Sequence, residues 1–336
     1  AKALAIFAPM LMLLAALPVV DVDPPGTWSP RWRHILAPML AVVLVIKVGV
    51  TSWHGLRIAS VGGTAHIDEL RELRGPLIGQ KVLFLGNDDF VIFGLAGTKT
   101  RSIVLGSQTL PTRPEKPWAY GQPLDFDSLP PELYNDFDWV VTPRDAAGST
   151  PPEGLRLVRS TRSFDLYRRV GPVPSRAVLG EGGSPGAVLR CATPEGRALV
   201  RRGGVALVRE PPIIVALPPL APGATTTVDL PLTRGTWDLQ VPYLSPRPLE
   251  VRAAGRRFTL PASADRPGVR LPAGAITVTE SGPVAVSVTS QRNRLTPRAA
   301  VASPTAVIAT RRGTSRLVPL RKACGRFVDW YRPAAR

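Results

Sequence analysis

Two apolar runs near the N-terminus, residues 3–20 and 35–50, constrain this chain more than anything that follows them. Crossing about 30 Å of hydrocarbon takes roughly 20 apolar residues, with about 17–25 as the working range. The first run meets that length; the second meets it when extended to Trp53, with Lys47 facing a neighbour or snorkelling to the interface. Between them, Pro24, Pro25 and Gly26 make a turn. The pair reads as a membrane helical hairpin. Pro9 and Pro38 favour the alternative of buried helices in a soluble domain, yet membrane helices tolerate proline and a cleaved signal peptide would explain one run rather than two. The turn carries Arg31 and Arg33, and short Lys- and Arg-rich loops stay cytoplasmic. The expected location is therefore the cell membrane, with the residues after about position 53 extracytoplasmic. The chain opens without Met and almost directly in apolar sequence, which predicts an upstream transmembrane region.

With 37 Pro and 30 Gly in 336 residues, the remainder is expected to form two or three domains that are not mainly helical. Cys191 and Cys324 are the only cysteines. In an oxidising compartment they would pair and close a long loop, worth about 4–5 kcal/mol if the constraint acts on the unfolded chain; two unrelated buried thiols are the alternative. The net charge of +17 is uneven: residues 291–336 hold eleven basic side chains against Asp329, a net +10. Such a field attracts anionic lipid headgroups, phosphate-bearing glycans or lipid-phosphate donors, although arginines on the solvent faces of strands would account for it equally. No nucleic-acid module is present, and an extracytoplasmic position argues against nucleic acid as a partner.

After Gly62-Gly63, Thr64 is placed to cap a short membrane-proximal helix (54–74) in which His66 reads as a packing or surface histidine. From 75 to 170 the pattern predicts a small α/β domain: a buried strand at 81–85, a helix from Phe90, strands at 102–105 and 139–142, and a hairpin of 155–158 with 164–168. Asn87, Asp88 and Asp89 form the chemically suggestive turn, since paired carboxylates after a buried strand can hold a divalent metal bridging a diphosphate. Helix capping by Asn87 or Asp88 explains the same turn more simply. A metal-dependent enzyme centred there carries little weight. The dinucleotide fingerprint and the P-loop lysine are both missing, and His34, His54 and His66 all precede the α/β domain. The sequence assigns no catalytic residue, no metal ligand and no cofactor.

Residues 171–186, rich in Gly, Pro and Ser, read as a linker. From 187 to 336 the pattern is strands only, twelve short ones separated by Gly/Pro turns, with clear alternation in 284–289. That predicts a β-sandwich of jelly-roll type, its first and last strands clasped by Cys191 and Cys324. The expected fold class is thus a membrane helical hairpin, an α/β domain and an all-β sandwich.

The strand and turn Val82-Leu83-Phe84-Leu85-Gly86-Asn87-Asp88-Asp89-Phe90, the segment Arg162-Ser163-Phe164-Asp165-Leu166-Tyr167 and the strand-rich tail resemble the C-terminal part of membrane glycosyltransferases of the GT-C type. Among these, cell-wall arabinosyltransferases end in a jelly-roll module similar to carbohydrate-binding domains. The resemblance implies lipid-phosphate sugar donors and cell-envelope glycan as partners. It also implies a catalytic acid upstream of Ala1, so that no residue here inherits that role and this region recognises acceptor glycan or scaffolds partner subunits. Under it Trp237 and Tyr243, in the stretch from Gly235, become candidates for stacking on sugar rings; buried core aromatics are the plainer explanation. The alternative function is a membrane-anchored glycan- or anion-binding assembly protein without enzymatic activity.

Overall fold

The computed structural model describes residues 39, 42, 43, 46, 47, 49 and 50, then 65–86, 91–103, 110–115, 124–180, 185–245, 247–262, 270–292 and 301–334. The chain divides into two compact units, 1–60 and 61–336. In the first unit the described residues are helical, and Met39, Val42, Val43, Ile46 and Val50 all expose their apolar side chains. Among the described residues no helix is long and apolar enough to cross a membrane. The run 3–20 and most of the second run lie outside the described residues.

The second unit begins with the helix Ala65–Arg74, which places Leu70 and Leu73 on one face and continues into a turn that buries Leu77. Asp68 in its first turn and Arg71 and Arg74 in its last complement the helix dipole. Its apolar face packs on Val82 and Phe84 of β1 (Lys81–Phe84), together with Val141, Phe164 and Leu166, so the helix belongs to the α/β core rather than to a separate segment. The sheet continues with β2 (Lys99–Ser102), β3 (Trp139–Pro143), β4 (Leu155–Ser160) and β5 (Phe164–Arg169), in the order β2-β1-β3-β5-β4. β1 pairs in parallel with both β2 and β3. Leu83 and Leu85 face a second core cluster on the opposite side, which is why β1 is a continuous apolar run. β2 starts three residues earlier than its apolar sequence suggests. The parallel register, Lys81 opposite Lys99 through Phe84 opposite Ser102, recruits the polar stretch Lys99–Ser102 as an edge strand.

The jelly roll occupies 213–311. Its strands are β8 (Ile213–Ala216), β9 (Thr225–Leu232), β10 (Gly235–Leu244), β11 (Leu249–Ala253), β12 (Arg256–Leu260), β13 (Arg270–Val278), β14 (Gly282–Ser290) and β16 (Ala306–Arg311), with the short β15 (Ser303–Pro304) against β10. The sheet orders are β13-β10-β16-β8 and β12-β11-β14-β9, every pair antiparallel. That interleaving of eight strands between two sheets is jelly-roll topology. Alternate residues of each strand meet in one core: Trp237, Leu239, Val241 and Tyr243 from β10 face Leu249, Val251, Val286 and Val288. The other face of β10 and β16 is covered by the α/β domain. Ala306 and Ile308 pack on Ala147, and Gln240 Nε2 donates to Arg144 O at 3.0 Å.

The segments flanking the jelly roll do not extend it. β6 (Ala187–Val188), β7 (Gly204–Val208), β17 (Arg316–Pro319) and β18 (Phe327–Pro333) form their own antiparallel sheet in the order β17-β7-β18-β6. The expected sandwich of 187–336 is therefore a smaller sandwich framed by a separate sheet built from both of its ends. Within the expected linker 171–186, the described residues 173–177 are pinned rather than tethering. Val173 is buried in the α/β core, Arg176 Nε meets Asp127 Oδ1 at 2.7 Å, and Ala177 bridges to Tyr331.

A chain of buried polar groups joins these layers. Arg176 Nη2 donates to Thr150 O at 2.7 Å, while Thr150 donates to Asp329 Oδ2 through both N (3.0 Å) and Oγ1 (2.7 Å). Arg209 lies 3.5 Å from Asp329 and donates to the carbonyls of Ala147, Gly148 and Pro185. Asp127 and Asp329 are both wholly buried.

Glu250, on β11, sits between Arg252 and Arg257. Burial opposes its ionisation, and the two guanidinium groups outweigh that, holding the carboxyl below its usual range. A carboxyl depressed on folding stabilises fully above the ordinary carboxylate range, and that share is lost as acid brings the pH through the lowered value. Glu250→Gln is expected to flatten the acid limb of stability measured by denaturant unfolding between about pH 5 and pH 2, the window in which such carboxyls titrate.

Candidate anion-binding groove

The small flanking sheet carries a nine-residue helix, Pro194–Arg202. Thr193 caps it, its Oγ1 accepting from Gly196 N at 3.1 Å; Pro194 fills the first turn with Glu195, and Gly203, at φ 71°, ends it. These are legible start and stop signals that the strands-only expectation for 187–336 passed over. Leu199 and Val200 turn inward onto Leu189, Ala206, Val208, Leu320, Ala323 and Val328. Arg197, Arg201 and Arg202 stay exposed.

Cys191 and Cys324 form a disulfide, with Cα atoms 5.5 Å apart. It fastens the approach to this helix onto the turn before β18, beside the backbone bonds Leu189 N to Arg326 O (3.1 Å) and Gly325 N to Leu189 O (2.9 Å). Segments 187–208 and 316–333 together hold nine Arg or Lys side chains against Glu195 and Asp329, and Asp329 is engaged internally by Thr150 and Arg209. Of these nine, Arg332 pairs with Glu153, and elsewhere in the basic tail Arg311 pairs with Glu210 and Arg312 with Asp238. On the disulfide-closed sheet and its helix, Arg190, Arg197, Arg201, Arg202, Arg316, Arg321, Lys322 and Arg326 face solvent.

Between the helix, β6 and residues 178–180 runs a groove of about 760 Å³. Val178, Leu179, Val188 and Leu199 give it apolar walls; Arg190, Arg202, Thr193, Glu195 and Tyr331 supply its polar groups. The Tyr331 phenol is pushed above its usual value, by burial first and by the Glu115 carboxylate second, so it remains a hydrogen-bond donor at neutral pH. Thr193 Oγ1 already donates to Arg190 O at 3.0 Å, and two guanidinium forks and a phenol among apolar walls can bind an oxyanion attached to a polar, ring-bearing chain. They provide no nucleophile and no paired acid and base. Among the described residues there is no group of three or more His, Cys, Asp or Glu that could hold a metal.

The Asn87, Asp88, Asp89 turn lies outside the described residues. Trp237 and Tyr243 are 2% and 1% exposed. Trp237 Nε1 donates to Thr233 O at 2.8 Å and the Tyr243 hydroxyl donates to Pro261 O. Both rings are enclosed by the jelly-roll core, so neither offers a face for a sugar; the stacking role gives way to the core role because β10 is a central strand whose alternate residues point inward. Trp237→Ala is expected to cost about 3–5 kcal/mol of stability in a denaturant titration, the usual range for deleting a buried large aromatic, without a selective effect on ligand binding by the folded fraction.

No protein-family model matches the chain, and no curated protein matches it. Solved structures overlap it only in part. An insecticidal crystal protein matches at 14% identity and TM-score 0.24, covering 30% of this chain and 17% of its own. The GH26-CBM35 β-(1,4)-mannanase of Podospora anserina matches at 10% identity and TM-score 0.21, covering 33% and 28%. The CBM36-1 domain of a multidomain xylanase from the hindgut metagenome of Trinervitermes trinervoides matches at 9% identity and TM-score 0.23, covering 33% and 99%. The chain thus spans well under a third of the first two proteins. Overlaps at these scores carry no argument, and the jelly-roll assignment rests on strand order alone.

Proposed function

We propose that this chain is an extracytoplasmic, non-catalytic region of a membrane glycosyltransferase that uses lipid-phosphate sugar donors, and that it holds cell-envelope glycan close to the membrane. The observation that carries the reading is the basic groove on the disulfide-closed sheet beside the jelly roll. A structural disulfide suits an oxidising compartment outside the cytosol. Paired apolar runs at 3–20 and 35–50, with Arg31 and Arg33 between them, support the same side of the membrane. The glycosyltransferase context comes from the sequence resemblance, and chemistry in this reading belongs to residues upstream.

Two measurements test it. Leu157 is half exposed on an edge strand; in intact cells Leu157→Cys is expected to react with a membrane-impermeant maleimide, and labelling only after the cytosol is opened would overturn the location. The purified full chain in detergent is expected to retain cell-envelope polysaccharide on an affinity column. Passage of that polysaccharide without delay at low salt would overturn the glycan role.

A further inference from the structure

We infer that the groove between the helix Pro194–Arg202 and β6 selects glycan segments bearing phosphate or carboxylate groups, in preference to neutral ones. This rests on the glycan-holding role proposed above and names the chemical class that the site takes.

Charge complementarity sets the class. Arg190 and Arg202 are exposed within the groove, and Glu195 is the one acid among its described lining residues. Guanidinium forks match the paired oxygens of phosphate and carboxylate, a recognition that a neutral sugar hydroxyl cannot reproduce. The surrounding cations Arg197, Arg201 and Arg321 add a field of the same sign. Shape separates a glycan from a lipid surface. A bilayer presents a broad flat face, whereas these groups line a concavity of about 760 Å³ between a helix and a strand, a size within the usual range for small-ligand clefts. Glu195 and Tyr331 supply the carboxylate and hydroxyl partners that sugar hydroxyls need, and Val178, Leu179, Val188 and Leu199 offer apolar contact to the ring faces.

Titration calorimetry on the purified full chain in detergent tests the inference with matched probes. These are tetragalacturonate against its uncharged methyl ester, and a phosphomannan oligosaccharide against the same compound after phosphatase. The charged member of each pair is expected to bind about tenfold or more tightly than its neutral counterpart, the scale of one charge-assisted hydrogen bond. Arg190→Gln combined with Arg202→Gln is expected to remove that preference, while Arg156→Gln combined with Arg168→Gln, an equal charge loss on β4 and β5, leaves it intact. Raising salt from about 50 to about 500 mM is expected to weaken the charged probes alone. All replaced side chains are exposed, and circular dichroism of the variants verifies folding.

Equal binding of charged and neutral members, unchanged in the arginine variant, would overturn the inference and leave the glycan role standing. Absence of binding by every glycan would overturn both. Binding of inorganic phosphate, or of vesicles of phosphatidylcholine with phosphatidylglycerol, as tight as that of the charged glycans would assign the groove to simple anions or to lipid and overturn the inference.

Discussion

Asp329→Ala is expected to lower the stability of the folded unit by about 3–5 kcal/mol, the cost of leaving a buried charge without its counter-charge. Asp329 has no exposed surface, and its carboxylate accepts from Thr150 N and Oγ1 and faces Arg209 at 3.5 Å. Once the carboxylate is gone, Arg209 remains held by the carbonyls of Ala147, Gly148 and Pro185, and Thr150 loses an acceptor on the way to Arg176. Asp329→Asn keeps an acceptor for Thr150 and should lose less. Denaturant unfolding measures both, and a loss below about 1 kcal/mol for the alanine variant, the scale of an exposed pair, would refute the argument.

Cys191→Ser with Cys324→Ser carries the second large effect. The bond closes a separation of 133 residues, for which constraint of the unfolded chain predicts about 4–5 kcal/mol. Because β6, the helix and β18 meet at the sulfurs while the jelly-roll core lies elsewhere, the loss should fall unevenly across the unit. Hydrogen exchange is expected to accelerate first at Leu189, Gly325 and Arg326, whose backbone bonds flank the bridge, before it rises in β10 or β14. Uniform acceleration throughout the second unit would contradict that order.

The physics of sequence reading explains what was visible beforehand. All twelve expected β segments of 187–336 contribute to strands, because short alternating runs between Gly/Pro turns declare themselves locally. The jelly-roll order agrees with the expected type. The partners of β7 were hidden, since nothing local distinguishes a strand that joins the sandwich from one that pairs with Arg316–Pro319 a hundred residues on. The disulfide offered the one long-range clue, and the structure contains it. The family resemblance made Trp237 and Tyr243 candidates for sugar stacking beside the plainer core role, and central-strand position turns both inward. The groove went unnoticed for the opposite reason. Arg190 and Arg202 meet in it only because a helix, not a strand, runs between them, and Tyr331 is brought in from far along the chain by the pairing of β18 with β6 and β7.

That module frames the jelly roll from both sides, and this has a mechanical consequence. A pull applied at residues before β6 and after β18 reaches the covalent sulfur link between positions 191 and 324 before it can reach any strand in between. The 213–311 sandwich therefore rides as a slack loop, shielded from tension that enters along the chain.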